Sequence, residues 1–160
     1  MNHCQFCTLS ELDKSAIIWE GKWWYAKLDR TPVSPGHTLL ILKRHNLNIK
    51  NLALEEWSEL FCGIKNIHKV LKKTNIKKKY ELFLKEKNAG LPCHYLEMAL
   101  IHPCLESTPD AFNHGVNDGR AAGRTVDHFH WHVIPRFNND QENPAGGVRC
   151  VLSNSQHNYL

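Results

Sequence analysis

Residues 126–136 read Val-Asp-His-Phe-His-Trp-His-Val-Ile-Pro-Arg, which puts His128, His130 and His132 at alternate positions. Alternate side chains of a strand share a face. The three imidazoles therefore project one way, while Phe129, Trp131 and Val133 project the other and can anchor the strand in a core. One histidine on a strand is ordinarily a packed or exposed residue. Three in alternation beside a glycine-bearing loop ask for a chemical explanation, and two compete. Imidazole is a common metal ligand, and alternate histidines can share an ion. Imidazole is also a nucleophile: with a reference pKa of about 6.5 it is mostly unprotonated at neutral pH. One ring could then attack phosphorus while its neighbours orient it or carry protons. The loop before the strand favours the second explanation. Asn117, Gly119, Gly123, Arg124 and Thr125 offer backbone N–H groups, an amide, a guanidinium and a hydroxyl. Those groups stabilise an oxyanion, and a metal site alone does not need them.

A second constellation opens the chain. Cys4 and Cys7 have the C-x2-C spacing of a metal-binding pair. A structural zinc takes four ligands, and histidines can complete the set; His3 is a rival ligand by proximity. The bland alternative is a pair of free thiols on a loose terminus. Of the other cysteines, Cys62 reads as core on a helix, and Cys93, Cys104 and Cys150 have no evident partner.

Several elements must position these groups. Residues 16–28 read as a hairpin about Glu20-Gly21-Lys22. Pro32, Pro35 and Gly36 mark a loop, and His37–Leu42 is a short apolar run that reads as a buried strand. Leu54, Trp57, Leu60, Phe61, Ile64, Ile67 and Leu71 recur at three- and four-residue steps, which predicts an amphipathic helix over about 52–74. Residues 80–108 are weakly patterned: Tyr80–Lys87 could extend a helix, Leu91-Pro92 breaks it, and Tyr95–Ile101 could form another. Phe112–Asn117 reads as a strand, 118–123 as a turn, Thr125–Ile134 as the last strand, and the tail from Asn138 as loop. Two groups of strands around one long helix predict an α+β fold with an antiparallel sheet.

The 160 residues suit one domain that can bury a core without disulfides. A hydrophobic fraction of 42% and a mean hydropathy of −0.45 are ordinary for a globular protein. No apolar run reaches the length of a membrane span, and the first residues lack the order of a signal peptide. A cytoplasmic protein without a membrane partner is expected. The net charge of +4 suits a phosphate-rich small ligand. Lys65, Lys69, Lys72, Lys73, Lys77, Lys78 and Lys79 read as a solvated face, so nucleic acid is not the expected partner.

Residues 117–136, from Asn117 through Gly119, Gly123 and His128-Phe129-His130-Trp131-His132 to Arg136, resemble the signature of the histidine-triad (HIT) family of nucleotide hydrolases and transferases. Pro35-Gly36-His37-Thr38-Leu39-Leu40-Ile41-Leu42 resembles the family's upstream strand. Cys4-Gln5-Phe6-Cys7 and Asn143-Pro144-Ala145-Gly146-Gly147 are similar to its zinc-bearing bacterial branch. The resemblance implies a single domain over residues 1–160 with about five antiparallel strands, one long helix packed on them and a homodimer. Residues 77–108 are then an addition, and 138–160 a tail. It implies that His130 attacks an α-phosphate to give a nucleotidyl-histidine, that His132 contacts the phosphate and helps the leaving group, and that His37 sits behind the nucleophile. Asp29 falls where the family holds the ribose; Asn117, Gly123, Arg124 and Thr125 fall at phosphate contacts, with arginine at 124 where the family usually has glutamine. For the metal it implies a structural zinc on Cys4, Cys7, His45 and His128. The activity implied is hydrolysis of a dinucleoside polyphosphate, or a related adenylate, releasing AMP. A nucleoside phosphoramidate hydrolase and a nucleotide-binding interaction protein with little turnover are the alternatives.

Overall fold

The computed structural model of the chain describes residues 4–9, 11–85 and 93–149. A short helix α1 (Glu11–Ser15) leads into strands β1 (Ile17–Glu20), β2 (Trp24–Leu28) and β3 (Thr38–Leu42). Three helices follow, α2 (Leu54–Leu71), α3 (Ile76–Lys85) and α4 (Cys93–Leu100), and then β4 (Ala111–Gly115) and β5 (His130–Arg136). The strands form one antiparallel sheet in the order β1-β2-β3-β5-β4. The last strand in sequence lies inside the sheet, between β3 and β4, so that chemistry carried on β5 is supported from both sides.

The β1–β2 hairpin requires glycine at its turn. A Cβ on Gly21 would stand 2.7 Å from the Glu59 carboxylate and from the Trp19 ring. That carboxylate accepts the backbone N–H groups of Lys22 and Trp24, at 2.6 and 3.1 Å, and so ties the turn to α2. The Trp24 indole adds a second tie by donating to the Glu56 carbonyl at 2.8 Å.

α2 lies on one face of the sheet. It buries Leu60, Gly63, Ile67 and Leu71, whose steps of three and four residues keep one stripe inward. They pack with Trp24, Leu28, Leu40, Leu42, Phe129 and Val133. α3 and α4 join the same core through Tyr80, Phe83, Leu96 and Ala99. Asn75 caps α3, its side-chain oxygen accepting the Lys78 N–H at 2.8 Å. A smaller apolar cluster of Phe6, Tyr25, Leu39 and Ile41 lies on the opposite face, beneath the N-terminal segment. The side chains of β5 divide between these two faces.

Several expectations need correction. The long helix spans 54–71 rather than 52–74, and Leu54 and Phe61 are 77% and 67% exposed instead of facing the core. They sit at the margin of the apolar stripe, which is narrower than the seven-residue pattern suggested; Phe61 stacks on Trp57, with ring centres 6.5 Å apart. Cys62 is exposed on the same helix, not core. The last strand covers 130–136 rather than 125–134, so His128 precedes it. The strand expected at 37–42 begins at Thr38, and that expected at 112–117 is Ala111–Gly115. The stretch 80–108 holds two helices, of which the first begins at Ile76 and the second at Cys93. Residues 86–92 and 150–160, with Cys150 and the end of the helix expected at 80–87, lie outside the described residues, as does His3.

Candidate active site and metal centre

The β3–β5 register decides which side chains meet. Leu39 pairs with His132 and Ile41 with His130. Directly paired residues share a face, so His130 and His132 point away from α2, towards the small cluster under the N-terminal segment. Trp131 and Val133 point to the α2 core, as strand alternation requires. Phe6 reaches over from the N-terminal segment and meets His128 and His130 edge-on, at 5.7 and 5.4 Å between ring centres. Its backbone carbonyl accepts the Tyr25 hydroxyl at 3.0 Å. His130 is 6% exposed.

The His130 Nδ1 lies 2.8 Å from the backbone carbonyl of His128. A carbonyl only accepts, so Nδ1 carries the proton and the lone pair is on Nε2. Burial lowers the pKa of His130, and nearby Arg124 adds to this, while the His128 carbonyl and the Asp29 charge act against it. The ring is therefore neutral at pH 7, with an unprotonated Nε2.

His132 is oriented differently. Its Nδ1 stands 3.1 Å from His37 Nε2, and His37 Nδ1 stands 3.3 Å from Asp29 Oδ2. The Val33 N–H also approaches His37 Nδ1, at 3.4 Å. An amide N–H only donates, so His37 Nδ1 accepts from Val33 and the ring proton of His37 is on Nε2. Asp29, His37 and His132 then form a relay: the carboxylate lies beside His37 Nδ1, and Nε2–H of His37 donates to His132 Nδ1. This leaves the ring proton of His132 on Nε2, a buried atom with no hydrogen-bond partner among the described residues. Burial, with His37 and His130 beside it, lowers the His132 pKa to about 4. Burial also lowers that of His37, against the pull of Asp29. Asp29 itself is fixed by Thr31, whose N–H and hydroxyl lie 3.0 and 3.2 Å from Oδ1.

His37 thus bonds to His132, not to His130 behind which the family resemblance places it. The register gives the reason. Thr38 pairs with Val133, so the position before it is a diagonal neighbour of His132 and lies farther from His130. The group that orients His130 is a main-chain carbonyl.

The loop 117–125 folds on itself. Asn117 follows β4, and its side-chain amide donates to the Gly123 carbonyl at 3.4 Å. Gly123 has φ +88°, a left-handed conformation suited to glycine. Thr125 is exposed. Arg124 turns aside: Nη1 donates to the Leu47 carbonyl at 2.6 Å, and Nε lies 3.3 Å from Asp127.

Cys4, Cys7, His45 and His128 converge at the other end of the histidine row, with their donor atoms within 4.8 Å of one another. His128 Nδ1 lies 3.3 Å from Cys4 Sγ and 3.4 Å from Cys7 Sγ, and His45 Nδ1 lies 3.4 Å from Cys7 Sγ. With zinc–sulfur bonds of about 2.3 Å and zinc–nitrogen bonds of about 2.0 Å, tetrahedral S···N edges are roughly 3.5 Å. The four donors fit that ion. His128 Nε2 donates to the Leu42 carbonyl at 2.6 Å, which leaves the Nδ1 lone pair facing the sulfurs. Such an outer hydrogen bond fixes a ligating imidazole. The bend at His128 that takes it off the strand gives its ring this direction. Beyond the end of β3, Phe129 N–H bonds to the Asn46 carbonyl at 2.6 Å, and this keeps His45 alongside His128.

The sequence reading missed Phe6, Thr31, Tyr80 and the Leu42 carbonyl. Only Phe6 carried a signal, as the apolar residue inside the Cys4–Cys7 spacing.

A family model described as HIT domain matches residues 11–139. An uncharacterised HIT-like protein of Methanocaldococcus jannaschii is 27% identical over 140 residues, 87% of this chain and 83% of that protein. A bis(5'-adenosyl)-triphosphatase of Saccharomyces cerevisiae is 26% identical over 122 residues, 76% of this chain and 44% of that protein. Among solved structures, a zinc-bound histidine triad family protein from Mycobacterium smegmatis superposes with a TM-score of 0.58 at 25% identity, covering 88% of this chain and 80% of that one. A HIT family protein from Bacillus anthracis gives 0.57 at 29% identity, covering 85% and 74%.

Proposed function

Because the chain belongs to the HIT domain family, we propose that it is a nucleotide hydrolase or transferase whose His130 attacks an α-phosphate, with a dinucleoside polyphosphate or related adenylate as substrate and AMP as product. One observation carries this reading: a buried neutral imidazole holds its Nδ1 proton on a backbone carbonyl and keeps the Nε2 lone pair for attack. An interaction protein that only bound nucleotide would not need that arrangement. The name of the yeast relative supports the substrate class.

In the first step His130 Nε2 forms a bond to the α-phosphorus, and the bond to the leaving-group oxygen breaks. His132 faces the phosphate through its unpartnered Nε2–H, which donates a hydrogen bond to the leaving-group oxygen as it departs as a phosphate anion, with its ring aligned by His37 and Asp29. In the second step water attacks the nucleotidyl-histidine, the P–N bond breaks, and AMP leaves with His130 restored, one water proton staying on the product phosphate and the other passing to solvent. Asn117, Gly123 and Thr125 supply phosphate contacts from the loop before β5. Asp29 is the residue proposed for the ribose, and one of its oxygens also faces His37.

Cys4, Cys7, His45 and His128 hold a structural zinc ion in this proposal, which ties the N-terminal segment and residue 45 to the catalytic strand. The neighbour solved with zinc supports this. The chain is read as one domain, with 77–108 an addition, and as a homodimer to which the exposed Leu54 and Phe61 of α2 contribute. No helix among the described residues is long and apolar enough to cross a membrane.

The test is AMP release from diadenosine polyphosphates and from an adenosine phosphoramidate, by the wild type and by His130→Ala. Release that disappears with His130→Ala supports the nucleophile, and the faster substrate distinguishes a P–O from a P–N leaving group. Nucleotide binding without turnover of any substrate overturns the catalytic reading in favour of a binding protein.

A further inference from the structure

The helix that follows α2 reaches back to the catalytic relay. Its Tyr80 is fully buried, and the hydroxyl oxygen accepts the Gly36 N–H at 2.9 Å. Gly36 immediately precedes His37, and it is the third residue of a tight turn. His37 N–H bonds to the Ser34 carbonyl at 3.0 Å, Pro35 is the second residue, and Gly36 has φ +81°. Proline then glycine with positive φ is the pattern of a type II turn.

Further polar groups of this turn are engaged. The Gly36 carbonyl accepts the Thr38 hydroxyl at 2.8 Å, and the Ser34 hydroxyl donates to the Pro135 carbonyl on β5 at 2.8 Å. The Asp29 N–H bonds to the His37 carbonyl at 2.8 Å. Among the described residues, Tyr80 alone of the groups bonded to the turn itself, between Ser34 and His37, comes from outside the sheet and its adjoining loops. It arrives from α3, within the stretch 77–108. Apolar contacts accompany it: a Cβ at Gly36 would lie 3.4 Å from Leu71 and 3.9 Å from Ile76. The helix is itself fixed, since Lys79 donates to the Ser15 carbonyl at 2.8 Å and Phe83 packs 6.2 Å from Tyr80 between ring centres.

We propose that Tyr80 is a positioning residue: by holding the Gly36 N–H it sets the backbone direction of His37, and through His37 the ring of His132, so that α3 is a brace for the active site. This rests on the proposed reaction only for its kinetic consequence. Tyr80 touches neither substrate nor the reacting atoms. Its hydroxyl acts through two bonded imidazoles, and such a relay loses function with small changes in angle. A displacement of about 1 Å in a catalytic group can cost on the order of 10²-fold in rate.

The test is Tyr80→Phe, which keeps the ring and removes the hydroxyl, compared with Phe83→Leu, which loosens the same helix without touching Gly36. The expected result is a kcat lowered by about 10- to 100-fold with KM within about twofold for Tyr80→Phe, and a kcat near wild type for Phe83→Leu. In a His37→Asn background, Tyr80→Phe has no further effect, because the two changes lie on one path. An equal loss with Phe83→Leu, or additive effects with His37→Asn, overturns the proposal in favour of general packing. If Tyr80→Phe does not fold, 3-fluorotyrosine at position 80 retains the shape and weakens the oxygen as an acceptor. A second readout is independent of turnover: nitrogen-15 chemical shifts of the His37 and His132 rings move in the position-80 variant. Unmoved shifts overturn the brace even if the enzyme is active, and moved shifts support it even if no tested substrate is cleaved.

Discussion

His37 and His132 share a hydrogen bond of 3.1 Å between Nε2 and Nδ1, and the Asp29 carboxylate closes the far side of His37 at 3.3 Å. A carboxylate behind two imidazoles stabilises positive charge whenever His132 takes up a proton. Asp29→Asn removes the charge and keeps the shape. The expected outcome is a fall in kcat of roughly 10²-fold with a small change in KM. The measurement is steady-state kinetics with a dinucleoside polyphosphate. A large rise in KM at unchanged kcat would assign Asp29 to ribose binding alone.

The histidine row was legible in the sequence because alternation along a strand is local. The positions of Phe129, Trp131 and Val133 on the opposite face follow from the same rule. The donors Cys4, Cys7, His45 and His128 come from three distant segments. Spacing pointed only to the cysteines, and family resemblance supplied the other two. What could not be read depends on contacts between segments. The partner of His37 follows from the β3–β5 register, which no spacing shows. The orienting group of His130 is a main-chain carbonyl, and every residue has one. Tyr80 lies 44 residues from the glycine it holds, in a stretch without clear periodicity. Leu54 and Phe61 were misplaced for another reason: a helix with apolar residues around much of its circumference does not reveal by pattern alone where the buried stripe ends.

Arg124 is held by the Leu47 carbonyl at 2.6 Å and lies 3.3 Å from Asp127. A guanidinium engaged in this way is turned from the phosphate. Arg124→Gln should therefore change KM by no more than about fivefold, since an ion pair to the solvent-exposed Asp127 contributes at most about 1 kcal/mol. Kinetics with a triphosphate- and a tetraphosphate-bridged dinucleotide would check this. A rise in KM that grows with the number of phosphates would mean that the side chain swings inward on binding.

The metal centre gives a prediction on folding rather than on chemistry. Purified protein should carry about one zinc ion per chain, measurable by elemental analysis. Cys7→Ser should lose most of it and lower Tm, because binding free energy is also folding free energy. Activity should fall with it, since His128 both ligates and presents the carbonyl that orients His130. Metal-free protein with wild-type Tm would overturn the structural role.

Acid should unfold the protein through its buried imidazoles. His132 has its pKa lowered to about 4, chiefly by burial, and burial also lowers His37. In the unfolded chain a histidine titrates near 6.5. Between those values the unfolded state binds protons that the folded state refuses, so stability falls as pH falls from about 6.5 to about 4 and is flat above. A separation of about 2.5 units at about 1.36 kcal/mol each sets an upper bound of roughly 3 kcal/mol for His132. Loss of zinc at low pH acts in the same direction, and the contribution of His132 is isolated by difference. Tm measured at pH 7.5, 6 and 5 should fall more steeply for the wild type than for His132→Gln, which has no proton to gain. Parallel curves would show that His132 titrates normally in the folded protein, and that its ring is not held neutral beside His37.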